Sequence, residues 1–283
     1  MKPFSLFLAI FIFFIPSSVI LNASSNVILN TKGGVYIHKI SNDKLTPDAF
    51  LDNQQLLTIS YKDKSYLLYG IPYGMKLGKN NINIMIDDNS YNLHFIVKPK
   101  FFDVQNIIVD KKYIKPSLEN KNRIDTERRN LKVAKDYWYN NIPDLSFIIP
   151  ADGITTGRFG TKRFYNGEEG NPHNGLDIGA KKGTLIIAPS GGKIILTGNY
   201  YYNGKFILLD HGKGLKSIFI HLDEILVKKG QVVSKGENIG KIGNTGKSSG
   251  PHLHWSLLLN KTYINPEYFL SNQIIDYFSL KIE

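Results

Sequence analysis

Short stretches of alternating apolar and polar residues, broken by glycine- and asparagine-rich turns, run along most of the chain, and this texture limits the fold more than any other feature. Strand side chains point to opposite faces with a period of two, so such stretches form half-buried strands rather than helices. From about residue 26 to 115 they include Val35-Tyr36-Ile37-His38, Leu56-Leu57-Thr58-Ile59-Ser60-Tyr61, Ile82-Asn83-Ile84-Met85-Ile86 and Tyr91-Asn92-Leu93-His94-Phe95-Ile96-Val97. Gly33-Gly34, Gly70, Gly74, Gly78-Lys79-Asn80-Asn81 and Asp87-Asp88-Asn89-Ser90 supply the punctuation. A small β-sandwich over residues 26–115 is the expectation. His38 and His94 stand alone in it and are read as packing or surface residues.

One segment breaks the pattern. Residues 118–138 carry ten charged side chains and neither Gly nor Pro. Ser117 can cap a helix whose apolar positions are Leu118, Ile124, Leu131, Val133-Ala134 and Tyr137-Trp138. So thin a stripe predicts a helix lying against another surface rather than inside a core. Residues 116–146 therefore read as a helical linker. A second β-rich, glycine-dense region follows over 147–270, and 271–283 reads as a C-terminal tail. The fold class is mainly β: a sandwich, a helical linker, then an antiparallel sheet domain with a groove.

The N-terminus bears on the compartment. Lys2 precedes the apolar run Phe4-Ser5-Leu6-Phe7-Leu8-Ala9-Ile10-Phe11-Ile12-Phe13-Phe14-Ile15, which Pro16-Ser17-Ser18 breaks. The order of cationic head, apolar stretch and small residues is that of a secretory signal over residues 1–23, with cleavage after Ala23. An uncleaved anchor continuing through Val19-Ile20-Leu21 is the alternative, although the run is short of the roughly 20 residues a spanning helix needs. Under both readings the rest of the chain is exported, to the periplasm or cell envelope. The net charge of +11 calls for an anionic partner, and export shifts that partner from nucleic acid to an envelope polymer. The only membrane contact expected is through an uncleaved anchor.

The chain has no cysteine, which excludes disulfides, thiol nucleophiles and cysteine-bound metals. Any metal site must use His, Asp and Glu. Five of the seven histidines fall in the second region. His173-Asn174-Gly175-Leu176-Asp177 is one cluster; His252-Leu253-His254, leading into the strand-like Trp255-Ser256-Leu257-Leu258-Leu259, is another. Alternation puts His252 and His254 on one strand face and Leu253 in the core. A catalytic zinc takes three protein ligands and keeps an open position. His and Asp from the first cluster with one His from the last make that number. His221 lies between them in Ser217-Ile218-Phe219-Ile220-His221-Leu222.

These motifs, with Arg158-Phe159-Gly160, Ala188-Pro189-Ser190-Gly191-Gly192, Asp210-His211-Gly212-Lys213-Gly214 and Gly243-Asn244-Thr245-Gly246-Lys247-Ser248-Ser249-Gly250-Pro251 around them, resemble the catalytic domain of the lysostaphin/LytM-type zinc endopeptidases. The resemblance covers residues 147–270, and the preceding β-region resembles that of certain Gram-negative members in texture. It implies one Zn2+ on His173, Asp177 and His254, with His252 as base and His221 orienting water or stabilising the oxyanion. It also implies hydrolysis of peptidoglycan cross-links of the D-alanyl–diaminopimelate type. His211 is read as structural. Many relatives carry Tyr two residues before the histidine matching His221; Phe219 stands there, which puts in doubt any oxyanion contact that the hydroxyl makes. Three further possibilities stay open: a non-catalytic peptidoglycan-binding or amidase-activating relative, a peptidase acting on proteins or glycine-rich bridges, and partial cover of the groove by the N-terminal domain or its linker helix.

Overall fold

The alternation becomes two antiparallel sheets in the first half of the molecule, in a computed structural model that describes residues 29–280. The signal segment expected over residues 1–23 lies outside the described residues. Strands Val35–Ser41, Lys64–Gly70 and Leu57–Tyr61 form a three-stranded sheet. Gln54–Gln55, Ala49–Leu51, Gly78–Ile86 and Asn89–Val97 form a four-stranded one. Asp87 and Asp88, at φ 42° and 65°, make the two-residue turn of its long hairpin, the left-handed conformation such turns need. Ile82, Ile84 and Ile86 alternate with exposed residues and meet Leu93, Phe95, Val97, Leu67 and Tyr69 in an apolar cluster between the sheets.

Strand Lys64–Gly70 is buried from Ser65 onward, as expected of a strand covered on both faces. Leu67 and Tyr69 face the cluster between the sheets. Tyr66 and Leu68 face the other way, and with Val35, Ile37, Leu57 and Ile59 they enter a larger core. That core runs on through Leu176, Phe219, Leu253, Trp255 and Leu257 of the second region. Tyr268, Phe269, Ile274 and Phe278 complete it. The two regions thus share one apolar interior. The expected tail after residue 270 is corrected accordingly: Gln273–Leu280 is a helix, and Ile274 and Phe278, four apart and so on one face, are buried in the core.

The second region is built on a ten-stranded sheet. Gly192–Tyr200, Gly204–Gly212, Leu215–Ile225, His252–Leu259, Leu176–Gly179 and Ile154–Gly157 follow one another in hydrogen-bonded order, each pair antiparallel. Helix Leu118–Asp136 begins at Ser117, whose Oγ accepts from the Asn120 N–H at 3.3 Å. Its Leu131 and Ala134 pack on Ile195, Leu208, Ile218 and Leu258 of the sheet. Polar ties fix it further: the Glu127 carboxylate accepts from the Tyr201 N–H at 2.8 Å, and Lys135 Nζ is 2.8 Å from the Tyr263 hydroxyl. Strand Val104–Ile107 pairs in parallel with Lys162–Tyr165, knitting the end of the first region into the second. No helix among the described residues is long and apolar enough to cross a membrane.

Candidate active site

Strand register assembles the site. Asp177 lies directly across from His254, and Gly179 from His252. On its other side His254 faces Ile220. Alternation along His252–Leu259 sends His252, His254 and Ser256 to one face and Leu253, Trp255 and Leu257 into the core. Leu258, on that same face farther along, lies under the helix. The sheet face is thereby shared: the helix covers one end, the histidines occupy the other, and Arg128 is the helix residue that lines the cleft.

His221 reaches the site through a bulge. Phe219 lies across from Trp255, and both it and Leu222 face the core. Two residues rather than one separate them, with a register shift in the pairing to Gly204–Gly212. His221 takes φ 68° there, which costs a non-glycine residue about 1–3 kcal/mol. Its N–H donates to the Asn203 carbonyl at 2.9 Å, and its Nδ1–H to the Thr245 carbonyl at 2.8 Å. Bulges re-aim side chains beside active sites, and this one brings the ring to 4.9 Å from His252 and 6.3 Å from His254, centroid to centroid. The concern over Phe219 is removed by the same geometry. Its ring is fully buried in the core, so a hydroxyl there would point away from the groove.

All five histidine and aspartate positions expected from sequence meet in this groove. His173 Nε2 is 3.0 Å from Asp177 Oδ1 and 2.9 Å from His254 Nδ1, and His254 Nδ1 is 2.7 Å from Asp177 Oδ1. The outer nitrogens are engaged elsewhere. His173 Nδ1 lies 2.8 Å from the Arg158 carbonyl, which can only accept, so that nitrogen carries the proton. His254 Nε2 lies 2.8 Å from Ser256 Oγ, which in turn is 3.5 Å from Asn174 Oδ1. With the His254 proton on Nε2, three lone pairs converge with no hydrogen between them. Such a set repels itself unless a cation sits among the atoms, and two imidazoles with a carboxylate fit zinc. Burial opposes charge on Asp177, yet the surrounding imidazoles hold its carboxyl well below the usual range. Burial pushes His254 down to about 4. It also pushes His221 down to about 3, reinforced by His252 and His254.

From sequence alone Gln105 and Ser256 had no functional reading, and Arg163 and Asn174 no tie to the side chains they meet here. Arg163 is almost fully buried, donates to Asp177 Oδ2 and places its Nε 3.1 Å from Gln105 Oε1. Gln105 arrives from the parallel strand of the first region, a pairing no local pattern announces. Two glycines are fixed by this crowding. A Cβ on Gly175 would lie 2.5 Å from the Trp255 carbonyl oxygen and 2.8 Å from His254 Nε2; one on Gly157 would lie 2.7 Å from both Arg163 and Asp177.

His211 has the structural place expected of it. It is fully buried, its Nδ1–H donates to the Gly191 carbonyl at 2.9 Å, and Ser217 Oγ, 2.8 Å from Nε2, also receives the Trp255 indole N–H at 3.0 Å. Two clefts, of about 740 and 1230 Å³, flank the site and share Arg163, Tyr165, His221, Lys247 and His254. Gln105, Ile107, Val109 and Tyr113 of the first region line them, as wall residues.

Comparison with known proteins agrees with this geometry. Residues 171–266 match Peptidase family M23. The crystal structure of a candidate M23 peptidase from Pseudomonas aeruginosa superposes with a TM-score of 0.72 and 31% identity, over 86% of this chain and 96% of that one. The peptidoglycan DD-endopeptidase ShyA of Vibrio cholerae is 42% identical over 94 residues, 33% of this chain and 22% of that protein. A metalloprotease of Buchnera aphidicola is 27% identical over 248 residues, 86% of this chain and 62% of its own. The match thus spans about a fifth of the length of ShyA, of a Haemophilus influenzae metalloprotease and of the Vibrio cholerae DD-endopeptidase ShyB.

Proposed function

Since the chain belongs to peptidase family M23, we propose that it is a zinc-dependent endopeptidase that cuts peptide cross-links of peptidoglycan, at bonds of the D-alanyl–diaminopimelate type, outside the cytoplasm. The observation that carries this reading is the convergence of three metal-ligand atoms with two further imidazoles in one groove. The DD-endopeptidase activity of ShyA and its relatives supports the choice of substrate.

In this reading His173 Nε2, Asp177 Oδ1 and His254 Nδ1 hold the zinc, which when bound acidifies water and polarises a carbonyl. The chain's own groups handle the protons. His252 Nδ1 lies 2.8 Å from the Gly250 carbonyl and donates to it, which leaves Nε2 as the basic nitrogen. It takes a proton from the attacking water and returns it to the leaving amine. His221, neutral and with Nδ1–H given to Thr245, presents an Nε2 lone pair and no donor. It therefore orients the water by accepting from it, in place of the oxyanion contact. Arg163 holds Asp177 Oδ2 and so keeps Oδ1 directed at the imidazoles.

The test is digestion of purified peptidoglycan by wild type, by His254→Ala and by chelator-treated wild type, with muropeptides read by mass spectrometry. Cross-linked dimers are expected to disappear only with untreated wild type. Intact dimers in the presence of folded, zinc-loaded protein would overturn the proposal and favour a binding role.

A further inference from the structure

One cation of the groove has neither a part in the hydrolytic chemistry nor an ion-pair partner among the described residues. The residues lining the two clefts include Arg128, Arg163 and Lys247 but a single acid, Asp177. Arg163 is committed to Asp177 and Gln105, and Arg128 lies 3.4 Å from Asp125. Lys247 differs. Its ammonium has no hydrogen bond or ion pair with any described residue, although the side chain is half-buried and borders both clefts beside His221 and His254. It stands over the ring of Tyr165, Nζ 3.4 Å from the centroid. The Lys247 N–H donates to the Tyr202 carbonyl at 2.9 Å, fixing the turn that leads into His252. Burial and the positive charge of Arg163 both work against its protonation. A partly desolvated charge without a counter-ion is costly, and a carboxylate from a ligand would relieve that cost.

We infer that Lys247, held on the face of Tyr165, anchors a carboxylate of the substrate peptide and makes the groove selective for anionic cross-link peptides over neutral glycine bridges. This rests on the endopeptidase reading of the same groove. An ammonium–carboxylate contact in a half-buried cleft is a charge-assisted hydrogen bond, a class that contributes about 10- to 100-fold in binding. The loss should fall on KM more than on kcat, because the ammonium–carboxylate contact is made equally in the bound peptide and in the transition state.

The experiment compares a cross-linked muropeptide dimer with its carboxylates free and the same dimer with them converted to carboxamides. The full zinc-loaded chain is used as wild type, Lys247→Met and Lys247→Arg. Wild type should favour the free acid by about 10- to 100-fold in kcat/KM. Lys247→Met should erase the difference between the two dimers and Lys247→Arg restore it. A preference that survives in Lys247→Met, or equal cleavage of both dimers by wild type, overturns the inference and leaves the endopeptidase reading standing. Equilibrium binding of an uncleaved stem peptide, acid against carboxamide, separates the two claims. Lys247-dependent preference for the acid without any hydrolysis would keep the anchor and remove the enzyme. Absence of both would remove both.

Discussion

Arg163→Met tests whether the first region of the chain helps to hold the metal. The guanidinium and the carboxylate it meets are buried, with side-chain exposures of 10% and 7%, and Gln105 holds the guanidinium from the far side. Methionine keeps much of the volume and removes the charge. Breaking a buried pair by deleting one partner costs about 3–5 kcal/mol, so the metal-free variant should lose stability on that scale in chemical denaturation. Asp177 would also lose the group that fixes its second oxygen, and outer-shell changes of this kind lower metal affinity by about 10- to 100-fold. That range corresponds to about 1.4–2.7 kcal/mol. Titration of zinc against a chromophoric chelator measures it without reference to catalysis. Gln105→Met should give a smaller loss in the same direction, since it frees Nε but leaves the contact to Asp177. Zinc affinity within twofold of wild type in Arg163→Met would refute the claim that this arginine orients the ligand.

Three further outcomes are expected. Gly175→Ala should lower zinc affinity and cost about 1–3 kcal/mol of stability, because its Cβ would press on the Trp255 carbonyl and the His254 ring; zinc titration and thermal unfolding check both. His211 is held down at about 4 by burial, against an ordinary value near 6.5. The folded state therefore disfavours the proton that the unfolded chain accepts, and stability present above about pH 6.5 falls as the pH drops toward 4, by about 3 kcal/mol from this residue. Urea midpoints between pH 7 and 4 should show that decline, and a shallower one in His211→Gln. Phe278→Ala should destabilise by about 3–5 kcal/mol, measured by denaturant unfolding; no effect would mean that the C-terminal helix is dispensable to the core.

What could be read from the chain itself was local. The strand alternation, the Ser117 cap and the opposite aims of His254 and Leu253 follow from periods of two and of about 3.6, and each has its counterpart in the structure. The remainder depends on which segments meet. Nothing around residues 104–107 marks a strand, because its partner is a parallel strand more than fifty residues away and Val104-Gln105-Asn106-Ile107 has no apolar–polar alternation. Arg163 therefore shows no tie to Asp177 until the fold brings it and Gln105 together. Alternation counted along Leu215–Ile225 would put Phe219 and His221 on one face. The bulge reverses that, and only cross-strand register reveals it. The short apolar run in the last helix looks like a tail because its partners, Tyr61 and Tyr66, belong to the other end of the chain.

The strand Lys64–Gly70, covered on both sides, has a consequence for how the protein comes apart. Because one of its faces belongs to the interior beneath the histidine-bearing sheet, unfolding should proceed as a single cooperative transition rather than in two stages. Excising residues 147–270 would not release a self-sufficient catalytic module but would strip the cover from Trp255 and Leu257. Substitutions in the N-terminal strands should then reduce the amount of working enzyme at a given temperature without altering turnover by the molecules that remain folded.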